Sequence, residues 1–307
     1  MHARELSAIV LSYENDDTVV RAVDSLLAQR PQVEVVVSHS GGGQTPALLR
    51  RAHPSVRVVS SEERRLPGAA RNAGVAVTGT PYVSFLAADC CALPGWSAGR
   101  LRRHRNGAKA VASALVPAEY GSVPLAAHLL QNSFRMGHVA APPMSRSGVS
   151  YGRDVLDRYG PFPETFPFGE DIALNDRLIE AGVEIALASD VVTAHRYPTS
   201  MRGLLVDRYR RGRQRGAVYR TSMRRSSVGL AGSLLTPALA LARAGARGSG
   251  ITYGQLVAVT PLLVAGSLAT AAGTVVGGGP SGPESCPELV SLQRRTWTRR
   301  ALSAPAA

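Results

Sequence analysis

The sequence predicts an α/β protein, with a mainly parallel sheet flanked by helices and a hydrophobic helical extension at its carboxyl end. Three observations carry that expectation. Short runs rich in β-branched residues, at 7–13, 33–37, 56–59 and 82–86, alternate with segments whose apolar residues recur at helical spacing. The connections are short, as strand–helix–strand units with right-handed crossovers require. From residue 226 onward, two uncharged stretches at 226–242 and 255–277 replace the mixed pattern of the earlier chain.

Ser7 to Tyr13 reads as the first strand by length and β-branched content. Asp16-Asp17 offers an N-cap to a helix whose Val19, Val20, Val23, Leu26 and Leu27 share one face and which ends near Arg30-Pro31. Val33 to Val37 is the next strand, and Ser38-His39-Ser40-Gly41-Gly42-Gly43 is its loop. The three glycines match neither the dinucleotide-binding nor the Walker spacing, so flexibility suits them better than a phosphate cradle. A helix from about 46 to 52 and a strand at 56–59 complete a Rossmann-like half. In the helix that follows, Gly68, Ala69, Ala70, Ala73 and Gly74 are small enough to press against the sheet. Arg71 is the one long cation on that element and is either a surface charge or a phosphate contact.

Tyr82 to Leu86 reads as a buried central strand. It delivers Asp89 to the sheet edge, where open α/β sheets bind ligands. A carboxylate there could hold a divalent metal against a diphosphate. Asp89 could equally start the turn before Pro94-Gly95. Glu170-Asp171 open an amphipathic helix bearing Ile172, Leu174, Leu178 and Ile179, where acids complement the helix dipole. His195 ends an apolar run and is open to two readings, a satisfied core histidine or a metal ligand.

Composition narrows the class. The chain has 307 residues, enough for a sizeable core, and a net charge of +13 carried almost wholly by arginine, Lys109 being the one lysine. Arginines cluster between 202 and 225, a pattern suited to phosphates, anionic lipid or nucleic acid. Cys90, Cys91 and Cys286 show no metal-ligand spacing and imply a reducing compartment. The amino terminus runs straight into a strand without signal-peptide design, so the catalytic part is expected in the cytoplasm.

The order of these elements resembles family 2 glycosyltransferases of the GT-A fold over roughly the first 215 residues. The resemblance rests on Ser12-Tyr13, Glu34 to Val37 with its polar glycine loop, Ala70-Arg71-Asn72, Tyr82 to Asp89 with Pro94-Gly95-Trp96, and Gly152 to Phe162. It continues at Gly169-Glu170-Asp171 with Arg177-Leu178, and at Val191 to His195. It implies transfer of a sugar, with inversion, from a nucleotide-diphosphate sugar to a cell-envelope glycan or lipid-linked acceptor. It assigns donor binding to Tyr13, His39, Arg71 and Asp89, a Mn2+ or Mg2+ ion to Asp89 and His195, and general-base work first to Asp171 and second to Glu170. Three positions depart from the family pattern: Ala87 replaces the first acid of the DxD pair, His39 replaces a base-reading Asp, and Gly148 replaces an acceptor-side Asn. The first two leave open a non-catalytic GT-A protein that binds nucleotide sugar through a degenerate DxD motif.

The resemblance and the composition divide the chain into a catalytic domain at 1–200, a basic amphipathic helix at 201–225, membrane-associated helices at 226–279 and a disordered tail at 280–307. The segment 125–136 is expected to form an acceptor-side wall. The stretch 255–277 is long enough to span a bilayer, although a pair of buried helices has the same pattern. The arginine-rich segment lacks a nucleic-acid module or further aromatic platform, so the expected partner is the cytoplasmic face of the cell membrane and not nucleic acid.

Overall fold

The computed structural model describes residues 4–139, 143, 146, 148–219 and 235–277. The chain divides into two compact units, one of residues 1–116 and 141–195, the other of residues 117–140 and 196–307.

The first unit is built on the sheet. In chain order its strands are β1 (Leu6–Tyr13), β2 (Glu34–Ser40), β3 (Arg57–Ser61), β4 (Tyr82–Ala87), β5 (Cys90–Ala92), β6 (Ala110–Pro117), β7 (Ser150–Gly152) and β8 (Ile185–His195). They lie in the order β3-β2-β1-β4-β7-β6-β8-β5. The β1–β2, β2–β3 and β1–β4 pairs are parallel, whereas β4–β7, β6–β7 and β5–β8 are antiparallel. β4 therefore sits where the sheet changes from parallel to antiparallel, flush with β1 through Leu11 opposite Ala87.

The strand sequences explain why both faces are covered. Along β1 and β2, Ala8, Val10, Val35 and Val37 point to one core, and Ile9 and Val36 to the other, as the two-residue side-chain period dictates. Helices α1 (Val19–Leu27), α2 (Thr45–Ala52) and α4 (Trp96–Arg105) contribute Val19, Val23, Leu26, Leu49, Trp96 and Leu101 to the first core. Helices α6 (Arg153–Tyr159) and α7 (Glu170–Glu180) contribute Val155, Leu156, Leu174 and Leu178 to the second. Helix α3 (Pro67–Val75) presses on the sheet as its small residues predict: a Cβ on Gly74 would collide with Ile9, and one on Gly68 with the Pro163 carbonyl.

Two local expectations are corrected. The N-cap of α1 is Thr18, with no side-chain cap bond. Asp16 instead accepts the Gln44 backbone N–H at 2.9 Å and the Thr45 hydroxyl, so it ties down the start of α2 across the glycine loop. The segment 38–40, expected as loop, continues β2, because Ser38, His39 and Ser40 are buried and pair with β1 and β3.

The second unit is helical: α5 (Ser122–Asn132) with a 3₁₀ turn at Ser133–Arg135, α8 (Met201–Tyr219), α9 (described over 235–244) and α10 (Tyr253–Gly277). Its core joins Ala126, Leu129, Met136, Ala240, Ala244, Val259 and Leu263, so the segment 125–136 belongs to this unit. α8 and α10 pack backbone to backbone. A Cβ on Gly212 would meet the Thr270 carbonyl, and one on Gly273 would meet the Tyr209 carbonyl. The parts of the predicted hydrophobic and tail segments at 226–234 and 278–307 lie outside the described residues.

Candidate active site

The sequence-predicted residues gather into three groups in the first unit, each placed by the end of a strand or the start of a helix. The first forms where β4 ends. Leu11 accepts the Ala88 backbone N–H at 2.9 Å, so β1 still holds the chain just before Asp89. The chain then turns and returns as β5, whose antiparallel register with β8 sets Cys90 opposite His195. His195 Nε2 lies 3.6 Å from Asp89 Oδ2, and Cys90 Sγ lies 3.6 Å from Asp89 Oδ1. Among the described residues, one donor atom from each of Asp89, Cys90 and His195 lies within 4.8 Å of the other two. The Asp89 side chain keeps 36% of its surface exposed, so the carboxylate faces solvent and not a dry interior. Carboxylate oxygen and imidazole nitrogen are competent donors for a divalent ion, so the residues fit a metal site. Ala87, at the end of β4, is exposed and offers no oxygen ligand.

The second group surrounds Arg71 on α3. Its Nε donates to Glu170 Oε1 at 2.8 Å, and its guanidinium lies 4.7 Å from the Phe85 ring centre and 5.4 Å from that of Phe162. Phe162 is fixed by the next residue of α3: Asn72 donates to the Phe162 carbonyl and accepts its backbone N–H, both at 3.0 Å. Arg71 and Glu170 side chains are only 15% and 6% exposed. Burial works against the Arg71 charge, but the carboxylates of Glu170 and Asp171 outweigh it and hold the guanidinium above its ordinary range. Burial likewise pushes the Glu170 carboxyl above the usual carboxylate range, against the pull of Arg71. The two predicted acids are therefore not equivalent. Glu170 is enclosed and bonded to Arg71, whereas Asp171 is half-exposed at the start of α7, with Oδ1 accepting the Ile172 N–H at 2.9 Å.

The third group lies where β1 and β2 end. His39 is buried, with ring nitrogens 3.3 Å from Ser12 Oγ and 2.5 Å from the Gly42 carbonyl oxygen, so it joins the strand to the glycine turn. Gly41, at φ +87°, lies against the ring of half-exposed Tyr13, and a Cβ there would collide with it. The Arg64 guanidinium lies over the Tyr13 ring, 4.5 Å from its centre. An aromatic face backed by a cation suits a planar, electron-rich ligand group.

Two features escaped the sequence reading. Cys90 joins Asp89 and His195 only through the β5–β8 register, which residue spacing does not reveal. Arg100 and His104, in the basic run of α4, are buried and not solvated. Arg100 donates to the carbonyls of Val111 and Gly148, and His104 sits 2.8 Å from the Ser150 hydroxyl. They fix the loop at Gly148, which adopts φ +60°, the left-handed region that glycine and asparagine tolerate best.

Comparison with known proteins gives the family and the fold. The chain is 32% identical over 209 residues to the pre-mycofactocin glycosyltransferase of Mycobacterium tuberculosis H37Rv, covering 65% of this chain and 44% of that protein. It is 37% identical over 102 residues to the succinoglycan biosynthesis protein ExoO of Rhizobium meliloti, covering 32% of this chain and 28% of ExoO. The chain thus spans less than half the length of these relatives. Among solved structures, the mannosyltransferase PcManGT of Pyrobaculum calidifontis, in complex with GDP-Man and Mn2+, superposes with a TM-score of 0.54 at 20% identity, covering 99% of this chain and 82% of that one. That likeness establishes the GT-A fold. The family model for glycosyl transferase family 2 matches residues 7–162, just over half the chain; the match takes in Tyr13, His39, Arg71 and Asp89 and ends before Glu170, Asp171 and His195. On that match, the chain belongs to glycosyl transferase family 2.

Proposed function

We propose that the protein transfers a glycosyl group, with inversion, from a nucleotide-diphosphate sugar to an acceptor hydroxyl. The single observation carrying this reading is the half-exposed Asp89 carboxylate beside His195 at the carboxyl edge of the central strand. Asp89 and His195 would hold a Mn2+ or Mg2+ ion, which when bound neutralises charge on the diphosphate. Tyr13, with Arg64 over its ring, gives a stacking surface for the nucleotide base, and His39 holds the adjoining glycine turn in place. Asp171 takes the acceptor hydroxyl proton as the new bond forms to the anomeric carbon. The bond to the diphosphate oxygen breaks, and its electron pair leaves with the diphosphate. Glu170 and Arg71 position the start of α7 beside Phe85 and Phe162 instead of sharing that proton.

The acceptor in this reading is a cell-envelope glycan or lipid-linked saccharide at an anionic membrane surface. The similarity to ExoO, a succinoglycan biosynthesis protein, lends support to a glycan acceptor. The helical unit supplies further support. α10 is long and apolar enough to cross a membrane, and Val257, Val264, Leu268 and Val275 recur on one exposed side of it. α8 packs along α10 and exposes Arg202, Arg210, Arg211, Arg213 and Arg215. A spanning α10 would carry those arginines toward hydrocarbon, whereas an in-plane α10 leaves them among headgroups.

The test pairs two variants with two readouts. Asp89→Ala removes manganese-dependent protection of the protein by UDP or GDP. Asp171→Asn retains that protection but loses donor hydrolysis and transfer. Protection unchanged in Asp89→Ala, or turnover retained in Asp171→Asn, would refute the corresponding role. Nucleotide protection with no turnover in the unaltered protein would instead favour a binding protein with a degenerate motif, the reading that Ala87 and His39 motivate.

A further inference from the structure

Cys90 lies in the metal group without a role in the function above. It is buried, on the short β5 strand, and faces His195 across the antiparallel register. Its neighbour Cys91 is on the other side of the strand, with Sγ 3.9 Å from the Arg21 carbonyl. The alternation of β5 therefore sends one sulfur toward Asp89 and the other away from it.

We propose that Cys90 is a third protein ligand of the Asp89–His195 site, and that the resulting oxygen, nitrogen and sulfur donor set binds Zn2+ in preference to Mn2+ or Mg2+. The inference rests on the metal reading of Asp89 given above. Its geometry stands on these separations: Cys90 Sγ lies 3.6 Å from Asp89 Oδ1, His195 Nε2 lies 3.6 Å from Asp89 Oδ2, the other oxygen of the same carboxylate, and one donor atom from each residue falls within 4.8 Å of the others. Ligand atoms around a tetrahedral ion with bonds of about 2.0–2.3 Å lie roughly 3.3–3.8 Å from one another, and each oxygen of the Asp89 carboxylate stands at that spacing from one of the other two donors. The chemistry follows from ligand softness. Mn2+ and Mg2+ favour oxygen donors, whereas a thiolate with an imidazole favours zinc and its spectroscopic stand-ins, cadmium and cobalt. Coordination by Cys90 releases its thiol proton to solvent. Three protein donors leave room for an oxygen from a fourth ligand, as open zinc sites do.

The experiment uses the full-length, reduced, metal-stripped protein and titrates it with Cd2+, following the ultraviolet thiolate-to-cadmium charge-transfer band and the heat of binding together. The unaltered protein and Cys91→Ser should each give one band equivalent per chain, displaced by Zn2+. Cys90→Ser, and independently Cys90→Ala, should lose the band. Asp89→Asn should weaken cadmium binding by about tenfold or more, and Zn2+ should bind the unaltered protein at least about tenfold more tightly than Mn2+. Cadmium binding that depends on Asp89 but shows no charge-transfer band would overturn the role of Cys90 while leaving the metal reading intact. A band of equal size in Cys90→Ser would assign it to another thiol, with the same consequence. If neither Cd2+ nor Zn2+, nor Mn2+ with UDP or GDP, binds at all, the metal reading fails and this inference fails with it.

Discussion

Replacing Glu170 by Gln removes one charge while keeping the side chain's shape, and the structure fixes what that leaves behind. Arg71 would keep its positive charge beside the rings of Phe85 and Phe162 with a neutral amide in place of its carboxylate partner. Breaking a buried ion pair costs about 3–5 kcal/mol when the partner charge is left bare. Here one bond links the pair, an amide oxygen still accepts from Arg71, and the Asp171 charge also favours the guanidinium. Those three facts reduce the expected loss to about 2–3 kcal/mol. Urea unfolding at neutral pH measures it, with a lower midpoint and an unchanged slope as the expected signature. Paired Arg71→Leu and Glu170→Leu substitutions close a double-mutant cycle, in which the double variant should be less damaged than the two single losses imply. A Glu170→Gln protein as stable as the parent, yet devoid of transfer, would refute the division of labour: Glu170 would then act in the chemistry, and Asp171 would lose its claim.

Two further perturbations probe the framework and the surface. His104 is buried beside the Ser150 hydroxyl and stacked on Tyr82, and burial lowers its pKa from 6.5 to about 4. Between these values the unfolded chain takes up a proton that the folded chain refuses, so stability is intact above about pH 6.5 and falls as pH drops toward 4. The full difference is about 3 kcal/mol. It should appear as a loss relative to His104→Gln in urea midpoints measured across that range, and parallel curves for the two proteins would refute it. On α10, Val264 and Leu268 are 47% and 55% exposed, so changing both to Glu should leave the helical content unchanged. Sedimentation with phosphatidylglycerol-containing vesicles should nevertheless fall by about tenfold or more, each charge at the apolar face costing on the order of 1 kcal/mol. Equal sedimentation would refute in-plane binding through that stripe.

Much of the sheet was legible because its strands are coded locally. β1, β2 and β4 are β-branched or aromatic runs with turn residues on either side, and α3 announces its close approach through glycine and alanine. What stayed hidden depends on partners distant in sequence. Asp16 looked like the cap of the helix beside it, but its hydrogen bonds go to Gln44 and Thr45, which the glycine turn brings round. Arg100 and His104 sit in a run of cations that reads as a solvated face. Carbonyls of Val111 and Gly148 and the hydroxyl of Ser150 make their burial tolerable, and none of these lies on their own helix. Glu170 and Asp171 are indistinguishable as neighbours in a sequence. Only the position of Arg71, almost a hundred residues earlier, separates an enclosed acid from a half-exposed one.

Two of the three departures from the family pattern, His39 and Ala87, have different physical consequences. His39 is enclosed by Ser12 and the Gly42 carbonyl, so its ring is spent on shaping the turn, and the aromatic face at Tyr13 with Arg64 is what remains for a nucleotide base. Ala87 removes an oxygen ligand from an exposed position and leaves Asp89 as the one carboxylate at the end of β4. A hard cation needs about six ligands, so on the proposed reading most of its oxygens must come from diphosphate and water. Metal and donor then strengthen each other's binding by the same factor, since coupling between two ligands is reciprocal. For Mn2+ or Mg2+, the loss of the first acid therefore shifts the metal from a resident ion toward one that arrives with its nucleotide, whereas the thiolate-containing set proposed for Zn2+ would hold its ion without one; both depend on the same carboxylate.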